Sequence, residues 1–324
     1  MKRRSHHDPR PTAAKTGPSV NEINDFLAAL SYKEKPCYWQ LHMSIIYEDF
    51  QFSDDDYNTL DINRFLFFEA LEEMISECRP HANYRGPIEV PGTEGQSSSA
   101  HWRTLRSLHC TASWALKICH FSSTTPASLK TFFRQHLWGL EEITSRACRY
   151  GQKHEGTARG AYVKRREDDP SVQVQTTGLH VHTEYWGLAC SLDGRVLSDV
   201  SEPKTLEIKC PYTLRNHDPN NFESVLNKKQ LKRFCLERNA CGQLVLKEDH
   251  PYFYQIQMGM GMTDIKECDL FIWSQHGSIL CTIPFNNSTW ETIKSALIAF
   301  HWDYLVPEYF AMRTPRNLAP VTIP

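Results

Sequence analysis

Ser191-Leu192-Asp193-Gly194 and Leu206-Glu207-Ile208-Lys209-Cys210-Pro211 are the two stretches on which the reading of this chain turns. The first has the composition of a turn between two short strands, Gly187 to Cys190 and Arg195 to Leu197. The second alternates apolar and charged residues. Side chains two apart on a strand share a face, so Glu207 and Lys209 project together while Leu206, Ile208 and Cys210 turn to a core. Asp193 at the neighbouring turn can meet them. Two carboxylates with the carbonyl of Ile208 make an all-oxygen site suited to Mg²⁺ or Mn²⁺, and an adjacent lysine can orient or help deprotonate an attacking water. Asp…Glu-x-Lys in this setting points to metal-dependent cleavage of phosphodiesters.

Glu202-Pro203-Lys204 spells the same tripeptide. Its central proline is a poor fit to a central strand, and it lacks the flanking apolar alternation, so the second match is preferred. The plain competing reading of Glu207 and Lys209 is an ion pair on an exposed strand face.

Outward from these stretches, strands are expected over Val172 to His182, Gly187 to Cys190, Arg195 to Leu197 and Leu206 to Cys210, with a hairpin of Asp269 to Trp273 and Ser278 to Ile283. Helical patterns cover Ser19 to Leu30, Leu60 to Cys78, His101 to His120, Pro126 to Trp138, Glu141 to Arg166, Phe222 to Phe234, His250 to Met262 and Ser288 to Met312. A capping box, Ser288-Thr289-Trp290-Glu291, is expected to open the last helix. The order predicts an α/β (α+β) fold, a mixed central sheet with helices on both sides and an N-terminal helical extension. Residues 1–18 read as a disordered leader, 19–99 as a helical accessory region, and the turn-rich Pro80 to Ser99 as a linker before a domain at 100–324.

Composition narrows the class. The chain has 324 residues, 40% hydrophobic and 23% charged, which is ordinary globular usage. No stretch is apolar enough for a membrane span, and the basic start lacks a secretory apolar segment, so an intracellular protein without a membrane partner is expected. Eleven cysteines form no C-x-x-C pair, which argues for reduced thiols rather than a zinc cluster. Residues 1–100 carry ten basic and sixteen acidic residues, whereas 101–170 carry twelve and six. That basic block favours an anionic partner.

Several ordered blocks resemble the YqaJ-type viral recombinase family, the nucleases related to phage lambda exonuclease within the PD-(D/E)xK superfamily. They are Trp102, Arg106 and Thr111-Ala112-Ser113; Gly151-Gln152-Lys153-His154-Glu155 with Ala158 and Tyr162; Ala189-Cys190-Ser191-Leu192-Asp193-Gly194; Leu206 to Pro211; and Tyr254-Gln255-Ile256-Gln257-Met258. Leu192 stands where the family commonly has proline. The resemblance implies a restriction-endonuclease-like core and a Mg²⁺-dependent exodeoxyribonuclease that digests one strand of linear duplex DNA from its end, 5′ to 3′, in recombination or repair. It implies Asp193, Glu207, Ile208 and Glu155 as metal ligands, Lys209 as the residue that activates water, and Gln257 rather than Gln255 near that water. It also implies that Arg106, Thr111, Ser113 and Trp102 grip a DNA end through its 5′ phosphate. Lys164, Arg165 and Arg166 can track backbone phosphates, although such a run is also an ordinary solvated helix end. A single-strand annealing partner is a further expectation; relatives of this family can close into a ring around DNA, which leaves a homo-oligomer open, but the acidic residues 1–99 beside such a channel favour a full chain that is monomeric or weakly associated. Two alternatives stay open, a structure-specific endonuclease on this scaffold and a non-catalytic DNA-end binding module. His180-Val181-His182 could offer a metal pair, yet no third soft ligand accompanies it, and Met258, Met260 and Met262 read as packing positions.

Overall fold

The structure, a computed structural model, describes residues 86–121, 126–140, 145–166, 169–185 and 187–320. The chain divides into two units, residues 1–70 and 71–324, and every described residue lies in the second. The leader and the helices expected at Ser19 to Leu30 and Leu60 to Cys78 lie outside the described residues.

The expected mixed sheet is built as two sheets. In the first, the spatial order is β1 (Pro87–Val90), β4 (Leu179–His182), β5 (Leu188–Ser191) and β2 (Cys110–Thr111). In the second it is β11 (Gly277–Pro284), β10 (Glu267–Ser274), β7 (Lys204–Lys209), β6 (Gly194–Leu197) and β3 (Gln173–Gln175). β7 and β10 are parallel, and the other pairs of this sheet are antiparallel. β8 (Leu236–Arg238) and β9 (Leu244–Leu246) form a separate hairpin. The chain leaves the first sheet at Ser191 and enters the second at Gly194, so Leu192 and Asp193 are the step between them.

Period-two alternation packs the second sheet on both faces. Leu206, Ile208 and Phe271 turn to helix α4 (Arg146–Arg165) and its buried Ala158 and Tyr162. Cys268, Leu270 and Ile272 turn to α7 (Pro251–Thr263), whose Ile256 and Met260 share their cluster. Glu207 therefore faces α7, and is 4% exposed rather than on an open strand face. Met258, Met260 and Met262 are fully buried, and Gly259 and Gly261 let α7 approach closely: a Cβ at Gly261 would sit 2.3 Å from the Trp290 ring.

Several boundaries differ from those the sequence predicts. Pro87–Val90, inside the expected linker, pairs with β4 from Pro87↔His182 to Val90↔Leu179, and the Gln96 amide donates to the carbonyls of Thr177 and Leu192 at 2.9 and 2.8 Å. A four-residue strand between turns is too short to display a period. The helix expected over His101 to His120 is broken into α1 (Ala100–Ser107) and α2 (Ala115–Cys119) by β2, because Cys110 and Thr111 are drawn into pairing with β5. α3 follows at Pro126–Gln135. Phe222 to Phe234 divides into α5 (Phe222–Val225) and α6 (Lys228–Arg233), with Asn227 starting the second. The closing helix is α8 (Asn287–Phe300), a π turn at His301–Leu305 and α9 (Val306–Ala311). Pro307 lacks an N–H and crowds the preceding turn, which accounts for the widened ladder. α8 is capped by Asn286, which accepts from the Thr289 N–H at 3.0 Å, not by Ser288.

Candidate active site

β7 and the β5–β6 step bring the predicted acids together. The β6–β7 ladder ends at Gly194↔Leu206, and beyond it Asp193 Oδ2 accepts from the backbone N–H of Ile208 at 2.7 Å. The carboxylate thus takes the place of a strand partner and is fixed beside Glu207. Leu192, buried under Gly259, and its carbonyl, held by Gln96, keep the step in place without a proline. Lys209 Nζ forms an ion pair with Glu207 Oε1 and lies 4.6 Å over the Tyr252 ring.

Gln255, not Gln257, reaches this pair. Its Nε2 donates to Glu207 Oε1 at 2.6 Å, and its Oε1 lies 3.5 Å from the Lys209 ammonium. Gln257 is fully buried on the far side of the helix register: it donates to the Pro284 carbonyl at 2.9 Å and accepts from the Asn286 N–H at 2.8 Å. Residues two apart on a helix diverge by about 200°. Tyr252, Gln255 and Gly259 instead share one face, which is the signal that favours Gln255.

Glu155 on α4 is half-buried and pairs with Arg159 Nη2 at 2.7 Å, as its i,i+4 spacing allows. The same guanidinium donates through Nε to the Asp193 carbonyl at 3.1 Å, so it ties Glu155 to the step between the sheets. Arg159 and Tyr252 are positioning residues that sequence reasoning did not single out.

The electrostatics describe three acids that raise one another. Burial, with the negative charges of Asp193 and Glu155 adding to it, pushes Glu207 up to about 7 against the pull of Lys209. Burial raises Asp193 as well, opposed by Lys209, the Ile208 amide and Arg159. Glu155 is raised by burial and then by Asp193. Burial alone would lower Lys209, but Glu207, Tyr252 and Asp193 outweigh it and hold the ammonium charged. Three carboxylates and a backbone carbonyl are hard oxygen donors, and a cation among them would relieve the repulsion that raises each acid, so the residues fit Mg²⁺ or Mn²⁺. Among the described residues no three acid, histidine or cysteine side chains already converge at ligating distance.

The four residues expected at a DNA end lie together. Arg106 Nη2 donates to Ser113 Oγ at 2.6 Å, Thr111 Oγ1 lies 3.4 Å from the same oxygen, and the Arg106 guanidinium sits 5.2 Å over the Trp102 ring. Burial lowers Arg106 to about 10. Trp102 itself is anchored, with Nε1 donating to Ser191 Oγ at 2.8 Å. Ala112, between Thr111 and Ser113, lines a small pocket together with Glu207 and Gln255, which brings this cluster near Glu207.

The basic end of α4 departs from its expected role. Lys164 is exposed, but Arg165 donates to the carbonyl and hydroxyl of Ser278 at 2.9 Å each, and Arg166 pairs with the fully buried Asp269 at 3.3 Å. Both arginines dock the helix onto β10 and β11. His182 is not a ligand: its Nδ1 accepts from the Glu184 N–H at 3.1 Å, and burial lowers it to about 4. It shares a separate cavity of about 620 Å³ with Glu89, His180, Arg195 and Lys294. The decoy's Lys204 pairs with Glu267 at 2.7 Å, on the α4 side of the sheet with Asp269.

The YqaJ-like viral recombinase domain matches residues 101–266, just over half of the chain, and the protein belongs to that family. No curated protein matches it. Among solved structures, LHK-Exo in complex with dAMP is similar at 20% identity over 68% of this chain and 98% of that chain, with a TM-score of 0.48. The alkaline exonuclease LHK-Exo from Laribacter hongkongensis is similar at 18% identity over 68% and 100%, with a TM-score of 0.45. A SOX–DNA complex is similar at 11% identity over 93% and 83%, with a TM-score of 0.41.

Proposed function

We propose that the protein is a divalent-metal-dependent exodeoxyribonuclease that removes nucleotides from one strand of linear duplex DNA, starting at a 5′ end. The observation that carries this reading is the fixed meeting of Asp193 with the β7 pair Glu207 and Lys209, locked by the bond from the Ile208 amide. Asp193, Glu207, the Ile208 carbonyl and Glu155 would hold the ion. Bound Mg²⁺ or Mn²⁺ supplies the Lewis acidity that the scissile phosphate needs. Lys209 keeps its proton and offers an ammonium to the water and to the charge that develops on phosphorus-bound oxygens. Gln255 holds the Glu207 carboxylate and, through its carbonyl, the approach of Lys209.

Arg106, Ser113 and Thr111 suit a terminal 5′ phosphate, since a guanidinium with flanking hydroxyls supplies several donors to its oxygens. Lys164 is free to follow the backbone further along. Among the described residues no element presents a base-reading set, and weak sequence preference is expected. A single-strand annealing partner belongs to the same reading, and the full chain is expected to act as a monomer or weak associate. The test is digestion of end-labelled linear duplexes, with and without a 5′ phosphate and with and without Mg²⁺, beside a closed circle. Mg²⁺-dependent release of mononucleotides from 5′-phosphorylated ends, with the circle intact, is expected. Nicking of the circle would make the protein an endonuclease, and binding without cleavage would leave an end-binding module.

A further inference from the structure

One strongly basic window of the chain takes no part in the site described above. Between Leu226 and Lys247 six lysines and arginines accompany a single acid, Glu237, in a chain whose net charge is −2. Four of them, Lys228, Lys229, Lys232 and Arg233, lie on α6, and all four are exposed. The helix is braced so that they stay outward. Asn227 and Gln230 form a reciprocal capping box at 3.0 and 2.9 Å, and Leu231 packs against the cluster that contains Phe234. The two remaining cations are already engaged. Lys247 Nζ donates to the carbonyls of Leu231 and Lys232 at 3.0 and 3.3 Å, and Arg238 pairs with Glu223 at 3.0 Å. Among the described residues none of the four α6 cations has such a partner.

α6 also adjoins the reacting end of the site. Lys209 lies over the Tyr252 ring, the Tyr252 N–H donates to His250 Nδ1 at 3.1 Å, and their rings are 4.5 Å apart. His250 in turn is held against the backbone of Arg233 and feels the charge of Lys209. A short run of contacts therefore leads from the lysine of the active site to the last residue of the basic helix. We propose that α6 is a second anchor for the sugar-phosphate backbone of duplex DNA, holding the body of a duplex whose end lies at Asp193, Glu207 and Lys209. This rests on the nuclease reading above. The chemistry favours a polyanion of regular charge: four uncompensated cations within six residues, no aromatic side chain among the outward groups, the amides of Asn227 and Gln230 committed through their oxygens to the capping box, and apolar Leu231 and Phe234 turned inward, which leaves little for a protein partner to bury.

The experiment measures binding of the full chain to 5′-phosphorylated linear duplex over a range of salt, without divalent ion so that nothing is cut. Each phosphate contact contributes a slope of about 0.9 in log affinity against log salt. A quadruple variant, Lys228→Gln, Lys229→Gln, Lys232→Gln and Arg233→Gln, is expected to lower that slope by about 2 to 3 and to weaken low-salt binding by roughly a hundredfold. Its melting temperature should match the parent, since the four side chains are exposed. Glu237→Lys is expected to tighten binding. An unchanged slope overturns the anchor, whether affinity falls or not. Cleavage by the parent in Mg²⁺ is scored separately: a parent that cuts while the quadruple variant binds as before leaves the nuclease reading standing without the anchor. A parent that does not cut, with a slope that still falls in the variant, leaves the anchor standing without the nuclease.

Discussion

Glu207 combines two demands that usually exclude each other, deep burial and a negative charge. Its carboxylate is held by the Lys209 ammonium and the Gln255 amide, while burial and its acidic neighbours push its pKa up to about 7. Replacing Glu207 or Asp193 by its amide keeps shape and removes the charge. Glu207→Gln and Asp193→Asn are therefore expected to lower the cleavage rate by at least about a hundredfold, roughly 2.7 kcal/mol in barrier height, without lowering the melting temperature at pH 8. A rate within tenfold of the parent would remove these acids from the chemistry. The two glutamines of α7 should separate cleanly. Gln255→Ala should slow cleavage while leaving stability near that of the parent. Gln257→Ala empties a fully buried position and takes the partner from the Pro284 carbonyl and the Asn286 N–H, and is expected to cost about 2 to 4 kcal/mol in denaturant unfolding with the rate per folded molecule unchanged. The opposite pattern would reinstate Gln257 beside the water.

At the scale of elements, the fit of α4 against the second sheet depends on one buried acid. Asp269 Oδ2 accepts from the Tyr162 hydroxyl at 2.6 Å and pairs with Arg166 at 3.3 Å, Oδ1 accepts from the Thr282 hydroxyl at 2.7 Å, and Lys204 lies 3.8 Å away. Asp269→Ala strands the Tyr162 phenol and takes one partner from the Arg166 guanidinium, and is expected to destabilise by about 3 to 5 kcal/mol in urea unfolding; a cost under 1 kcal/mol would mean that apolar packing alone seats the helix. None of this was legible in the sequence, where Arg166 reads as one of three solvated cations and Asp269 as one polar residue in an apolar strand. The face of β7 was legible, because alternation assigns Leu206, Ile208 and Cys210 to one side whatever packs there. What lies above Glu207 was not, because strand periodicity says nothing about whether the second face is covered. Likewise the break at Cys110 and Thr111 is imposed by pairing with β5, a partner about eighty residues away that no local pattern reports.

For the molecule as a whole, three histidines set the behaviour in acid. His109 Nδ1–H donates to the Leu105 carbonyl at 2.6 Å, His136 Nε2–H to the His109 carbonyl at 2.7 Å, and His301 Nε2–H to the Leu108 carbonyl at 3.2 Å. All are buried, and burial lowers them to about 4, 3 and 3. Below pH 6.5 the unfolded chain takes up protons that the folded chain refuses, so stability present above that pH is lost as pH falls toward 4, at up to about 1.4 kcal/mol per pH unit for each histidine. Glu207, Asp193, Glu155 and Glu308, all raised by burial, work the other way and favour the folded state as pH falls, but His182, His180 and His250 are lowered by burial beside these three and act with them. Unfolding free energies that stay flat between pH 6.5 and 4.5 would show that the histidines are not held neutral. The segment they fasten carries Thr111 and Ser113, so loss of DNA-end binding should precede global unfolding on acidification. The step from β5 to β6 also bears on how the chain can vary in length. Leu192 and Asp193 have no slack, since one carbonyl is tied to Gln96 and the following carboxylate to Ile208. A single inserted residue there would turn the acid away from Glu207 and shift β6 by half a pleat. The Ser201-Glu202 connection a few residues on is exposed and should accept several extra glycines with cleavage intact. Chains that share this architecture can therefore grow or shrink at the second point but must keep their residue count at the first.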